Sequence, residues 1–166
     1  MSLAAARQAQ SFKKLSVIIP AYNEEATLQE VIQRVQRVSL DGLEKEIIVV
    51  DDGSTDRTRE ILQQRNGIKA VFHEQNLGKG GAIRTGMACA TGDVLIIQDA
   101  DLEYNPNDYP KLLVPILRGE CEFVMGSRFL RERPRFFTKN GAPFFSHYVG
   151  NHIIIGLTNF LFGRKH

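Results

Sequence analysis

Along this chain, short uninterrupted apolar runs alternate with stretches in which apolar residues recur every three or four positions. Residues 15–19 (LSVII), 46–51 (EIIVVD), 68–73 and 94–97 (VLII) are runs of strand length, and the last suits a strand buried on both faces of a sheet. Between the first two, Leu28, Val31, Ile32, Val35 and Val38 repeat at helical spacing and predict an amphipathic helix over about 25–38. Further helices are expected over about 57–65, from the glycine-rich segment 76–81 to near 91–92, and from Asn107 or Asp108 onward. In the last of these Tyr109, Leu112, Leu113, Ile116 and Leu117 share a face. Pro110 suits its first turn, and Pro115 should kink or shorten it. Residues 122–126 predict a fifth strand. There is no internal repeat and no low-complexity linker.

Buried strands alternating with amphipathic helices specify a mostly parallel α/β sheet wound by right-handed crossovers. Ligands of such sheets lie beyond the carboxyl ends of the strands. Pro20–Glu24, Asp51–Asp52 and Asp99–Asp101 are therefore expected to converge on one edge.

The length of 166 residues is one domain's worth of chain. Residues 1–14 (MSLAAARQAQSFKK) contain no apolar core long enough for a signal peptide and read as a flexible or helical leader to a domain over 15–166. The formal net charge of +2 conceals an asymmetry: residues 128–166 carry seven Lys and Arg against one acid, and the acids outnumber the bases over 1–127. The basic end suggests an anionic partner. Cys89 and Cys121 are widely separated without CxxC spacing and read as reduced thiols of a cytosolic protein. The four histidines show no metal-ligand spacing and read as structural or surface residues.

The chemistry concentrates in Asp93–Pro106 (DVLIIQDADLEYNP). An apolar strand ends in Asp99-Ala100-Asp101, with Glu103 two residues on. Two carboxylates spaced by two project the same way as a chain leaves a sheet, and like charges held close favour a cation between them. Mg²⁺ and Mn²⁺ bind through one or two carboxylates together with ligand phosphates. The competing reading is a solvated acidic turn. In Asp51-Asp52-Gly53-Ser54 a helix cap needs only one acid, so the second is free to accept hydrogen bonds from a base or ribose. Gly78-Lys79-Gly80-Gly81 matches neither phosphate-loop nor dinucleotide signatures. It is either a turn or a place where a ligand approaches a helix N-terminus, with Lys79 as a point charge. Gly126-Ser127-Arg128 sets a guanidinium after the fifth predicted strand, where it could neutralise phosphate.

Taken together, VIIPAYNE (17–24), VVDDGSTDRT (49–58), NLGKGGAIRTGMACATGD (76–93), QDADLEYNP (98–106) and GSR (126–128) resemble family-2 inverting glycosyltransferases, most closely the polyprenol-phosphate sugar synthases. The resemblance covers about residues 15–163. It implies a GT-A fold and transfer of a hexose from UDP-glucose or GDP-mannose to a polyprenyl or dolichyl phosphate, with inversion and with Mg²⁺ or Mn²⁺. It assigns Pro20, Tyr22, Glu24, Val50, Asp52, Asp99, Ala100, Asp101 and Arg128 to the nucleotide sugar, beside Lys79 of the glycine-rich turn, and Asp99, Asp101 and Glu103 to the metal. Asp101 and Arg128 carry the catalytic roles. It also implies that the chain ends before the family's acceptor-side segment, so a non-catalytic nucleotide-sugar-binding fragment is the alternative.

Residues 142–163 contain no Asp, Glu, Lys or Arg, but Ser146, His147, Asn151, His152, Thr158 and Asn159 interrupt them, which disfavours a lipid-exposed span. Phe129, Phe136, Phe137, Phe144 and Phe145 lie among Arg131, Arg133, Arg135 and Lys139, a mixture suited to a bilayer interface. A loop and a buried helix closing the domain is the competing and compatible reading, and the family resemblance implies a peripheral domain on the cytoplasmic face of a membrane, with no nucleic-acid partner.

Overall fold

The computed structural model describes residues 12–126. The chain divides into two units, Met1–Met125 and Gly126–His166, and the described strands and helices all belong to the first. Four parallel strands form a sheet in the order β3-β2-β1-β4: β1 Lys14–Ala21, β2 Glu44–Asp51, β3 Lys69–Phe72 and β4 Val94–Ile97. The helices are α1 Leu28–Arg37, α2 Thr58–Gln63, α3 Lys79–Cys89 and α4 Tyr109–Leu117, the last entered through a 3₁₀ turn at Pro106–Asp108. The predicted elements up to α4 are all present, most of them trimmed by one to three residues. Helix α4 closes at Leu117, two residues past Pro115.

Strand alternation divides the apolar residues between two layers. Leu15, Val17, Ile19, Ile47 and Val49 face the larger core with Leu28, Val31, Ile32 and Val35 of α1, Leu62 of α2, and Leu113 and Leu117 of α4. Ile48 and Val50 face the other way and pack with Ala82 of α3. Helix α3 lies so close to β1 that a Cβ at Gly86 would collide with the Ile18 side chain. Lys45 ties β2 to the C-terminal end of α1, its Nζ donating to the carbonyls of Val35, Gln36 and Val38 at 2.5, 3.2 and 2.8 Å. That is the favourable placement for a cation on a helix dipole.

Two expectations fail. Strand β4 is not buried on both faces: Leu95 is 37% and Ile97 50% exposed. Among the described residues β4 is an edge strand paired only with β1, and α3 packs mainly on β1 and β2 rather than on β4. Residues 122–126 do not form a fifth strand. They run as irregular chain with Phe123 and Met125 75% and 77% exposed, because no neighbouring strand among the described residues supplies a ladder. Arg128 and the basic, aromatic and apolar stretches beyond it lie outside the described residues, as does most of the leader. Phe12 already packs against the core, and Asp93 accepts the backbone N–H groups of Lys13 and Lys14 at 2.7 and 3.0 Å.

At the amino ends of the strands a polar clasp joins β1, β2 and the loop before β4. Glu46 accepts from the Ser16 hydroxyl and from the Thr91 backbone N–H (2.6 Å), and it pairs with Lys14 at 3.1 Å. Burial opposes its ionisation, but these donors outweigh that cost and hold its carboxyl down to about 2. Because folding lowers this pKa, the clasp's contribution is fully present above the ordinary value of 4.5 and is lost as the pH falls toward about 2. Glu46→Gln should therefore lower stability near neutrality by about 1 kcal/mol and flatten the acid limb of a urea-unfolding series across that window. An unchanged acid limb would contradict this role.

Candidate functional site

Parallel pairing brings three strand ends to one edge. Ala21 of β1 stands opposite Asp51 of β2, and Ile18 of β1 opposite Ile97 of β4. Beyond these ends opens a pocket of about 260 Å³ lined by Pro20, Ala21, Tyr22, Glu24, Asp52, Asn76, Lys79, Ala82, Asp99, Ala100 and Asp101. Eight of the sequence-predicted residues thus meet: Pro20, Tyr22, Glu24, Asp52, Lys79, Asp99, Ala100 and Asp101. Val50 does not join them; it is fully buried under α3 with Ile48 and Ala82. Its place in the alternation points it into the layer rather than out of the strand end.

The Asp51-Asp52 doublet separates by the same alternation. Asp51, fully buried, accepts the Ser54 N–H at 3.1 Å and the Arg59 Nε–H at 3.0 Å. Arg59 also donates to the His73 carbonyl at 2.6 Å and stacks 5.3 Å over Phe72, so Asp51 serves the fold. The doublet does not cap α2: the N-cap position is Arg57, which makes no side-chain cap, and Asp56 just before it accepts the Thr58 N–H at 2.9 Å. Asp52 turns to the opposite side. Its Oδ1 accepts the Leu77 N–H at 2.9 Å and faces His73 Nδ1 at 2.7 Å, and His73 Nε2 lies 2.9 Å from the Thr85 hydroxyl. Burial opposes ionisation of Asp52, yet the Leu77 N–H and the imidazole hold its carboxyl below the ordinary range. Gly53, at φ 74°, lets the 75–77 loop close over this turn: a Cβ there would meet Asn76 N and Gln75 C at 2.8 Å.

The opposite wall is the turn after β4. Gln98, 1% exposed, accepts from the buried Tyr109 hydroxyl at 2.8 Å and donates to the Asp99 carbonyl at 3.0 Å. Burial pushes the Tyr109 hydroxyl above its usual range, so it stays a donor. Asp101 Oδ1 accepts the Glu103 N–H at 3.1 Å across Leu102, which sits at φ 63°. Asn23, between the pocket residues Tyr22 and Glu24, also has positive φ (56°), and its side chain accepts the Thr55 N–H at 2.8 Å. Left-handed residues of this kind are held by their surroundings and cluster where a chain presents functional groups.

Four carboxylates, Glu24, Asp52, Asp99 and Asp101, thus line the pocket with a single ammonium, Lys79, whose Nζ lies 2.6 Å from Asp99 Oδ1. The pair Asp99 and Asp101 suits a hard divalent cation, and a cation already rests on Asp99. Glu103 is not among the lining groups. No cluster of three or more His, Cys, Asp or Glu able to hold a metal occurs among the described residues, so the described part of such a site is these two carboxylates. Ligand phosphates and water would complete it. The sequence reading missed Asn76, which lines the pocket, along with the supports of His73 and the Gln98–Tyr109 pair. Register could have found His73: Phe72 stands opposite Asp51, so the next residue falls beside Asp52.

Comparison with known proteins agrees with this geometry. The Glycosyl transferase family 2 model matches residues 16–163, and the chain belongs to that family. It is 40% identical over 121 residues to the dolichol-phosphate mannosyltransferase of Pyrococcus furiosus, a match covering 71% of this chain and 34% of that protein. It is 36% identical over 135 residues to the UDP-N-acetylglucosamine–dolichyl-phosphate N-acetylglucosaminyltransferase of Methanococcus voltae, covering 70% and 52%. Among solved structures, glucosyl-3-phosphoglycerate synthase from Mycobacterium tuberculosis, in complex with Mn²⁺, UDP and glucosyl-3-phosphoglycerate, superposes with a TM-score of 0.60 at 36% identity over 72% of this chain and 45% of that one. The fold is that of the GT-A glycosyltransferases. The chain spans about half or less of the length of these relatives.

The Gln98–Tyr109 bridge generates a direct test. Tyr109→Phe leaves a buried amide oxygen unsatisfied and should cost about 1–3 kcal/mol in chemical denaturation. It should also loosen the turn after β4, because Gln98, which donates to the Asp99 carbonyl, loses the hydroxyl that fixes its amide. Wild-type stability would refute the bridge.

Proposed function

We propose that this chain forms the donor-binding part of a metal-dependent glycosyltransferase that moves a hexose from a nucleotide-diphosphate sugar to a polyprenyl phosphate, with inversion. The observation that carries the reading is the acid-lined pocket at the strand ends, where Asp99 and Asp101 lie together and Lys79, the one ammonium of the described lining, sits on Asp99 in a family-2 chain. The Pyrococcus and Methanococcus relatives both carry a dolichol or dolichyl phosphate in their names, which supports a lipid-phosphate acceptor, and the solved neighbour was crystallised with Mn²⁺ and UDP.

In this reading Pro20, Tyr22, Glu24, Asp52 and Asn76 bind and orient the nucleotide, with the half-exposed Tyr22 ring offering an aromatic face. Asp99 and Asp101 hold Mg²⁺ or Mn²⁺, with Ala100 against the nucleotide between them. The bound ion supplies electrostatic stabilisation of the departing diphosphate. The first turn of α3 lines the pocket through Lys79 and Ala82 and adds the positive end of a helix dipole. Arg128 is the further phosphate-neutralising residue. The attacking group is an oxygen of the acceptor phosphate. It forms a bond to the anomeric carbon as the bond to the diphosphate oxygen breaks. A phosphate is ionised near neutral pH, so the transfer needs no strong enzymic base, in keeping with a pocket whose described lining contains no histidine.

Among the described residues no helix is long and apolar enough to cross a membrane. The basic, phenylalanine-rich stretch from 128 to 145 supports peripheral attachment, on the cytoplasmic face, beside the lipid acceptor.

A thermal-shift panel of UDP, GDP and their sugars, with and without Mn²⁺, tests the donor site. One nucleotide series should raise Tm by several degrees only when metal is present. Asp101→Asn should abolish that rise without lowering the Tm of the free protein. In the same preparation, the chain should pellet with anionic vesicles at low salt and be released at high salt. Equal nucleotide binding without metal would overturn the metal site, and indifference to vesicles at low salt would overturn the membrane attachment.

A further inference from the structure

The Lys79–Asp99 contact has a chemical consequence for the order in which charges enter the pocket. Lys79 is the first residue of α3, directly after Gly78, and its side chain is 61% exposed against 19% for Asp99. Its Nζ sits 2.6 Å from Asp99 Oδ1, on one of the two carboxylates suited to a divalent ion. With four carboxylates in the lining, a diphosphate entering before any added positive charge meets net repulsion. An ammonium already spent on Asp99 does little to relieve it.

An ion pair this exposed is weakly held, and a lysine's four-carbon stem lets the charge move without disturbing the backbone. A Cβ built on Gly78 or Gly80 would meet nothing within 4 Å, so the space beside the first turn of α3 is open for that movement. A doubly charged ion has the stronger claim on a carboxylate pair.

We propose that Lys79 is a placeholder cation. It neutralises Asp99 in the free protein, yields that carboxylate to the divalent ion, and turns its ammonium to the diphosphate of the incoming nucleotide. The proposal rests on the donor-site reading and adds a mechanism for coupling: metal and nucleotide each favour the swung-out lysine, so each strengthens the other's binding through it.

The test is calorimetric titration of Mn²⁺ into the whole chain, alone and with saturating UDP or GDP, for wild type and Lys79→Ala. The substitution lies on the surface, and circular dichroism and Tm should match wild type. Lys79→Ala should bind Mn²⁺ alone about 3- to 10-fold more tightly, and the factor by which nucleotide enhances Mn²⁺ binding should fall by at least about 3-fold. The gain should persist in about 1 M KCl, where the Debye length of about 3 Å removes the general effect of a deleted charge but not a direct contact. Unchanged or weaker Mn²⁺ binding by the variant, or undiminished coupling, would overturn the placeholder role while leaving the donor site standing. A wild-type protein in which Mn²⁺ and nucleotide fail to bind at all would overturn both.

Discussion

Everything at the candidate site depends on the register of β1 with its two neighbours. Because β1 is paired in parallel on both sides, the chain leaves β1, β2 and β4 toward the same edge, β1 and β2 level at Ala21 and Asp51 and β4 three residues earlier, opposite Ile18. Three segments distant in sequence then release their polar residues into one space. The clasp of Glu46 with Ser16, Lys14 and Thr91 fastens the same strands at their other ends. One end of the sheet is thus closed by satisfied polar contacts, and the other is left open to a ligand.

Strand alternation then sorts the polar residues into those that build the edge and those that serve it. Adjacent aspartates take opposite roles: Asp51 is locked to Arg59 on the α2 side, and Asp52 is steered by Leu77 and His73 on the α3 side. Three of the four carboxylates that reach the pocket are braced by partners of other elements or of their own turn, and the fourth, Asp99, carries Lys79. Asp52 holds the 75–77 loop, Glu24 accepts from the Thr27 hydroxyl at 2.6 Å, and Asp101 closes its own turn. The result is a rigid concentration of negative charge with one movable cation on it, an arrangement that becomes favourable to an anionic ligand when further positive charge is bound.

Much of this was legible from local pattern. Period-2 and period-3.6 apolar spacing located the strands and helices, and the acids that follow β1, β2 and β4 are where a parallel sheet collects its ligand groups. What was not legible is non-local. The four apolar residues of β4 read the same whether the strand is central or at an edge, and only pairing reveals that Leu95 and Ile97 stand partly exposed. Residues 122–126 have strand-like composition, but a strand needs a neighbour. The Lys79–Asp99 pair joins residues far apart in sequence and arises because α3 begins beside the end of β4. Val50 stays out of the pocket lining for a simpler reason: the strand carries it one residue short of the edge, beneath α3.

The central claim, that Asp99 and Asp101 present a divalent ion to the diphosphate of a nucleotide, is tested most directly by anomalous diffraction from crystals grown with Mn²⁺ and UDP or GDP. The account predicts one Mn²⁺ peak within coordinating distance of both carboxylates and of a diphosphate oxygen, about 2.0–2.3 Å for hard oxygen ligands. A nucleotide bound in the pocket with no metal on these two residues, or Mn²⁺ bound elsewhere, would contradict it.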